Sequence, residues 1–308
     1  MSGVFAGFLV IFVIIAIGYV LGRTRVLGEH GEFVLSRLVF FVATPALLFD
    51  TLARADLSVV FSPTLAVAAA TAFAVGGIYL ALALGVMRKA VPEATIGALA
   101  ASYVNSANLG IPISVFVLGD ASFVAPLLLF QILVYSPIAL TALDLTTARS
   151  GASLRETLTT PFKNPIVVAG VAGLAVALSG WTPPEALIQP FQLIGGASVP
   201  GALLTFGLSL YGVRVLQRGV SPRREIALAS VLKILVQPAL AYLMGRFLLG
   251  LDGHELFAVV VVSTLPTAQN VFVYASRYQR GTVLARDAAL VTTLASIPAI
   301  GFVAWALA

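Results

Sequence analysis

Of the 308 residues, 59% are hydrophobic and only 10% charged, with a mean hydropathy of +1.03, whereas soluble domains run at roughly 45–50% apolar and about 25% charged. This composition excludes a soluble globule, and it excludes a disordered chain, which would be poor in apolar residues and rich in charge. The net charge is +5 and cysteine is absent, so disulfides, iron–sulfur clusters and thiolate zinc sites are ruled out, while His30 and His254 alone do not make a histidine-rich metal site.

The apolar residues come in long runs rather than in the residue-by-residue alternation of an outer-membrane barrel, which leaves helices. At about 20 residues per crossing, ten spans are predicted, near 4–22, 33–53, 64–87, 95–118, 122–146, 165–180, 190–213, 226–249, 255–276 and 284–307. They leave no room for a soluble domain. Met1-Ser2-Gly3-Val4-Phe5 lacks a basic segment before the first run, so that run reads as an uncleaved helix.

Basic residues gather in alternate loops: Arg23 and Arg25, Arg88 and Lys89, Arg149 to Lys163, Arg214 to Arg224, and Arg277 to Arg286. The other loops hold Arg54 and Arg246 together with Asp56, Asp120, Glu185, Asp252 and Glu255. The positive-inside rule then makes the basic side cytoplasmic and sends both termini outward. Binding of anionic lipid by the Arg214–Arg224 cluster is a second reading of the same charges.

Three proline pairs suggest an internal repeat. Pro45 and Pro200 stand 155 residues apart, each followed by an Ala-Leu-Leu stretch; Pro112 and Pro266 are 154 apart; Pro137 and Pro298 are 161 apart. Two five-span halves, 1–150 and 151–308, follow, and because each half has an odd number of spans the second enters the membrane from the opposite side. Transporters are commonly built from such inverted repeats.

Spans four and nine each carry a polar cluster at a proline. In span four these are Asn105, Ser106 and Asn108 beside the breakers Gly110 and Pro112. Proline lacks an N–H and clashes with the carbonyl four residues earlier, so the ladder is predicted to open around Asn108. In span nine they are Thr264, Thr267, Gln269 and Asn270 around Pro266. With Pro266 as the first residue of a second half-helix, the N–H groups of Thr267, Ala268 and Gln269 point into the break. Two such N-termini attract an anion, and the freed carbonyls on the other halves are suited to a cation. The plainer reading is two kinks whose amides bond to neighbouring helices.

Asn105-Ser106-Ala107-Asn108-Leu109-Gly110-Ile111-Pro112 resembles the Asn-x-x-x-x-Gly-Ile-Pro segment of the auxin efflux carrier family. Leu265-Pro266-Thr267-Ala268-Gln269-Asn270-Val271-Phe272-Val273-Tyr274-Ala275 is similar to that family's second motif. The resemblance implies an all-α membrane protein of ten transmembrane helices in two inverted five-helix repeats with crossed broken helices, as in bile acid and sodium–proton transporters. It further implies a scaffold of spans 1, 2, 6 and 7, a moving domain of spans 3, 4, 5, 8, 9 and 10, a homodimer, and residence in a bacterial inner membrane. The substrate expected is a small organic anion such as an auxin-like acid, malate or a malonate-like dicarboxylate, moved by an elevator or rocking motion. The long cytoplasmic loop of the plant members is missing here.

The expected binding residues are Asn105, Ser106, Asn108, Gly110, Pro112, Thr264, Pro266, Thr267, Gln269 and Asn270, with the amides supplying hydrogen bonds. Ionisable residues within spans are functional candidates, which brings in Lys233 and Asp50 as ion-coupling positions, although Lys233 and Arg37 can equally snorkel to the interface. Asp50 and Asp144 lie near span ends. No carboxylate falls in either broken segment, so the coupling ion, sodium or proton, stays open, as does uncoupled transport. No cofactor or nucleic-acid partner is expected. An intramembrane enzyme would need a converging catalytic constellation, which the two histidines and scattered carboxylates do not offer; a channel or a sensor on the same fold is the alternative. The small-residue run from Gly195 to Gly201 permits close packing.

Overall fold

A computed structural model describes residues 2–54, 63–147, 165–212 and 216–307. Asp56, Arg149, Arg155, Lys163 and Arg214 lie outside these, as do the side chains of Asp144 and Arg277. The regular secondary structure of the described residues is helical, with one isolated β-bridge and no strand. In chain order the helices are α1 (Ser2–Thr24), α2 (Gly31–Ala53), α3 (Pro63–Val86), α4 (Val91–Ser102), α5 (Ser106–Leu118), α6 (residues 125–146), α7 (Pro165–Ser179), α8 (Glu185–Ser209, interrupted at Gly196-Ala197), α9 (Arg223–Leu248), α10 (Gly253–Thr264), α11 (Gln269–Tyr278) and α12 (Thr282–Leu307). Among the described residues, α2, α3, α8, α9 and α12 are long and apolar enough to cross a bilayer. Where the sequence predicts single fourth and ninth spans, there are two pairs of half-length helices, α4 with α5 and α10 with α11.

Four of the internal prolines share one solution, whereas Pro190 and Pro298 lie inside their helices without it. Pro45, Pro112, Pro137 and Pro238 each sit at the second residue of an α-helical stretch, directly after a five-residue π turn: Val39–Ala43, Ser106–Gly110, Gln131–Tyr135 and Leu232–Val236 respectively. A π turn takes hydrogen bonds five residues back, so it absorbs the missing N–H and the ring without ending the helix. The ladder therefore widens around Asn108, as Pro112 demands, but does not unwind there. The chain leaves the helix earlier, at Tyr103-Val104-Asn105.

The chain divides into two compact units. The first comprises Met1–Ser62, Ala107–Leu129 and Thr159–Val213, and so takes α1, α2, most of α5, α7 and α8. Its helices meet at glycines. A Cβ on Gly18 would strike the Leu204 carbonyl, and one on Gly207 would strike the Ile15 carbonyl and lie 2.8 Å from Gly18 Cα. Small residues let backbones approach in lipid, where dispersion replaces the hydrophobic effect as the force between helices. Likewise a Cβ on Gly173 would sit 2.7 Å from the Phe49 carbonyl, which brings α7 onto α2. Thr44 and Ser198, both buried, share a hydroxyl–hydroxyl bond of 2.9 Å just ahead of Pro45 and Pro200. Gly207→Leu is expected to force α1 off α8 and to destabilise the protein by about 3 kcal/mol or more, read as a lower melting temperature in detergent.

The second unit, Pro63–Ser106, Phe130–Leu158 and Arg214–Ala308, takes α3, α4, most of α6 and α9 to α12. Its core includes Val75, Tyr79, Ile96, Leu99, Leu143, Val271 and Leu284, all at most 2% exposed, and Gly97 is the notch that receives the Tyr79 ring. At one end Asp287, fully buried, accepts hydrogen bonds from the Leu216 N–H at 3.1 Å, the Ser221 hydroxyl at 2.6 Å and the Arg286 side chain at 2.8 Å. The carboxylate thus pins the segment ahead of α9 to α12. Asp287→Ala is expected to release that segment, seen as several-fold faster tryptic cleavage at Arg218, Arg223 and Arg224.

Candidate functional site

The two interrupted helices of the second unit meet where they unwind. α4 stops at Ser102 and α10 at Thr264, each after twelve residues. Val104 and Thr267 then pair as an antiparallel bridge: Asn105 N–H donates to the Pro266 carbonyl at 2.8 Å and Ala268 N–H to the Tyr103 carbonyl at 2.9 Å. Backbone freed from one ladder is thereby satisfied by the other, which is what irregular chain inside a membrane protein requires. The two stopping points are 162 residues apart, which agrees with the Pro137–Pro298 spacing and not with the 154 of Pro112 and Pro266. Pro266 marks a break; its sequence counterpart Pro112 does not.

Thr267 is a clasp. Its hydroxyl donates to the Ala100 carbonyl at 2.5 Å, its N–H donates to the Thr292 hydroxyl at 3.1 Å, and the residue is fully buried. With the Ala268 N–H also taken, the expectation that Thr267 and Ala268 point free N–H groups into the break does not hold. The following half-helix begins at Gln269, three residues beyond Pro266, because the chain stays extended to complete the bridge. Its first turn, Gln269-Asn270-Val271, is the helix N-terminus at the crossing, and both amide residues there are half-buried. The Thr264 hydroxyl is spent within its own helix, on the Val260 carbonyl at 2.7 Å.

The opposite ends of the half-helices, where carbonyls accumulate, converge on a lysine. Lys233, fully buried, lies in the π turn before Pro238 and donates to Gln237 Oε1 at 2.7 Å and to the Ser263 carbonyl at 3.0 Å. Gln237 Nε2 in turn reaches the Ser102 carbonyl at 3.4 Å. One ammonium and one amide therefore bind the last turns of both α4 and α10, at the negative ends of their dipoles. No carboxylate forms an ion pair with Lys233 among the described residues. The chain folds this way because the π turn that accommodates Pro238 carries Lys233 inward beside Gln237.

A hydroxyl network surrounds the bridge. Tyr103 OH bonds Ser136 Oγ at 2.9 Å, Ser136 Oγ bonds Tyr274 OH at 3.0 Å, and Ser102 Oγ bonds Tyr135 OH at 2.6 Å. The Tyr103 and Tyr135 rings stack at 5.8 Å, and a Cβ on Gly76 would lie 2.6 Å from the Tyr135 hydroxyl, so only glycine leaves it room. Ser106 donates its hydroxyl to Gln131 Oε1, and the buried Gln131 Nε2 has no hydrogen-bond partner among the described residues. Asn105 is 3% exposed beside them.

Of the expected binding residues, the second unit holds Asn105, Ser106, Thr264, Pro266, Thr267, Gln269 and Asn270, whereas Asn108, Gly110 and Pro112 belong to the first. Lys233 joins the crossing. Asp50 does not: it pairs with Arg54 at 2.9 Å, one helical turn away in α2. Gln131, Tyr135, Ser136, Tyr103 and Gln237 were not expected. The signal for three of them was present, since Gln131-Ile-Leu-Val-Tyr135-Ser136 runs directly into Pro137.

Residues 4–156 and 149–304 match the family described as "Membrane transport protein", which is the auxin efflux carrier family. The chain belongs to that family. The chain is similar to a Rhizobium meliloti protein named "Putative malonate transporter", 26% identical over 299 residues that span 94% of this chain and 91% of the relative. The "Uncharacterized transporter YfdV" of Escherichia coli K12 is 27% identical over 87% of this chain and 86% of its own length. "Uncharacterized transporter MJ1031" of Methanocaldococcus jannaschii is 22% identical over 97% of each. Membership makes this chain a membrane transport protein.

Proposed function

We propose that the protein is a secondary carrier that exports or exchanges a small organic anion by alternating access. The observation that carries this reading is the bridged pair of unwound segments, with the N-terminus of α11 on one side and a buried cation on the other. The substrate carboxylate binds against the first turn of α11, with Asn105, Gln131, Gln269 and Asn270 as amide donors; positive helix ends and neutral donors select an anion without an arginine. Asn108 lies one turn further along the chain from Asn105. Malonate-like dicarboxylates are the first class to test, because a relative carries that name over nearly its whole length.

Lys233 answers the coupling question in this reading. The carbonyl ends that would otherwise hold a sodium ion are already bound by the Lys233 and Gln237 side chains, so transport proceeds without a sodium gradient. The ten spans form two inverted repeats, the unit bearing the crossing is the moving part, both termini face outward from a bacterial inner membrane, and the protein pairs as a homodimer. Thermal-shift screening of mono- and dicarboxylic acids, followed by counterflow into proteoliposomes, tests the function. A saturable, sodium-independent exchange supports it; an anion current faster than carrier turnover, or a dependence on sodium, overturns it.

A further inference from the structure

On the first unit, far along the sequence from the crossing, α2 presents an exposed apolar face that contains a charge. Phe33, Arg37 and Phe41 follow one another at intervals of four residues, and all three are exposed. The Arg37 guanidinium lies over both rings, 5.5 Å from the Phe33 centroid and 5.1 Å from that of Phe41. Val34, Leu38 and Val42 continue the same exposed apolar surface. Arg37 stands six residues inside a helix that begins at Gly31, hence about 9 Å along its axis at 1.5 Å per residue. Among the described residues no carboxylate forms an ion pair with it and its guanidinium makes no hydrogen bond.

A charge on the outer face of a membrane helix is costly unless something opposite in sign meets it. Stacking between two phenyl rings contributes a cation–π attraction and holds the guanidinium on the helix surface, but it leaves the five N–H donors unused. A phosphate accepts two of them at once, in the fork geometry that arginine favours. The group that brings phosphate to this depth is a lipid headgroup, and the surrounding apolar side chains suit its acyl chains.

We propose that the Phe33–Arg37–Phe41 stripe of α2 is a binding site for an anionic phospholipid, with the phosphate on the guanidinium and an acyl chain along the two rings. A lipid of net negative charge is preferred because a zwitterionic headgroup carries its own cation to compete for the phosphate.

The test uses the purified full chain, stripped of lipid in detergent and titrated with phosphatidylglycerol or phosphatidylcholine, with bound lipid counted by native mass spectrometry. Wild type is expected to retain phosphatidylglycerol in preference to phosphatidylcholine. Arg37→Gln should lower phosphatidylglycerol affinity about tenfold, Arg37→Lys should fall between, and Phe41→Leu should weaken binding a few-fold. Arg54→Gln, at the other end of α2, should change nothing. An Arg37→Gln protein that keeps the full preference overturns the proposal. So does one that keeps it while converting a dimer to a monomer, which would assign this face to a second copy of the chain.

Discussion

Lys233→Met is expected to abolish transport and to cost more stability than any other single change at the crossing. Methionine fills much the same volume, so the loss isolates the ammonium. Without it the Ser263 carbonyl and Gln237 Oε1, both in the buried interior, lose their donor, at about 1–3 kcal/mol for each group left unsatisfied. The last turns of α4 and α10 then face one another with no positive charge between their dipoles. Lys233→Arg should also fail, because a planar fork does not fit where a compact ammonium sits on two acceptors. Melting temperature in detergent and counterflow in proteoliposomes read the two effects separately. A folded, fully active Lys233→Met carrier would remove the lysine from the account.

Asn105→Ala is expected to have the opposite profile, with the melting temperature little changed and transport reduced by at least tenfold through a raised KM. The Asn105 backbone holds the crossing through its N–H to Pro266, and alanine keeps that bond. Only the amide side chain is lost. Gln131→Glu should do the same more severely, because it removes the Nε2 donor and places a carboxylate beside Ser106, where the substrate anion has to approach. Unchanged transport in Asn105→Ala together with Gln131→Glu would place the substrate elsewhere.

Much of this was legible in the residues, because membrane helices declare themselves by length and composition and because proline and glycine have few uses inside a span. Span boundaries come from apolar runs alone, and Pro266 does lie in the break between α10 and α11. Pro112 misled by the same rule. A proline can be met by unwinding, by a π turn, or, as at Pro298, within a continuous helix, and one residue type cannot say which is taken. Tyr103-Val104-Asn105 carries no breaker at all; it unwinds where the extended segment between α10 and α11 offers it a bridge at Thr267, a tertiary fact absent from local sequence. Lys233 was visible as an ionisable residue in a span, yet whether it snorkels or turns inward depends on Gln237 and Ser263. Asp50 was equally visible, and Arg54 one turn away accounts for it.

The chain contains no cysteine, which makes the position of the substrate directly measurable. Asn270→Cys puts a single thiol on the first turn of α11, and Leu145→Cys, near the end of α6, serves as the distant reference. Alkylation by a membrane-permeant maleimide is followed in proteoliposomes with increasing concentrations of the transported acid. An anion held at the crossing protects Cys at 270 several-fold, with half-protection at the concentration that half-saturates counterflow, and leaves position 145 unaffected. Labelling at 270 that is indifferent to substrate while counterflow saturates would contradict the assignment of the crossing as the anion site.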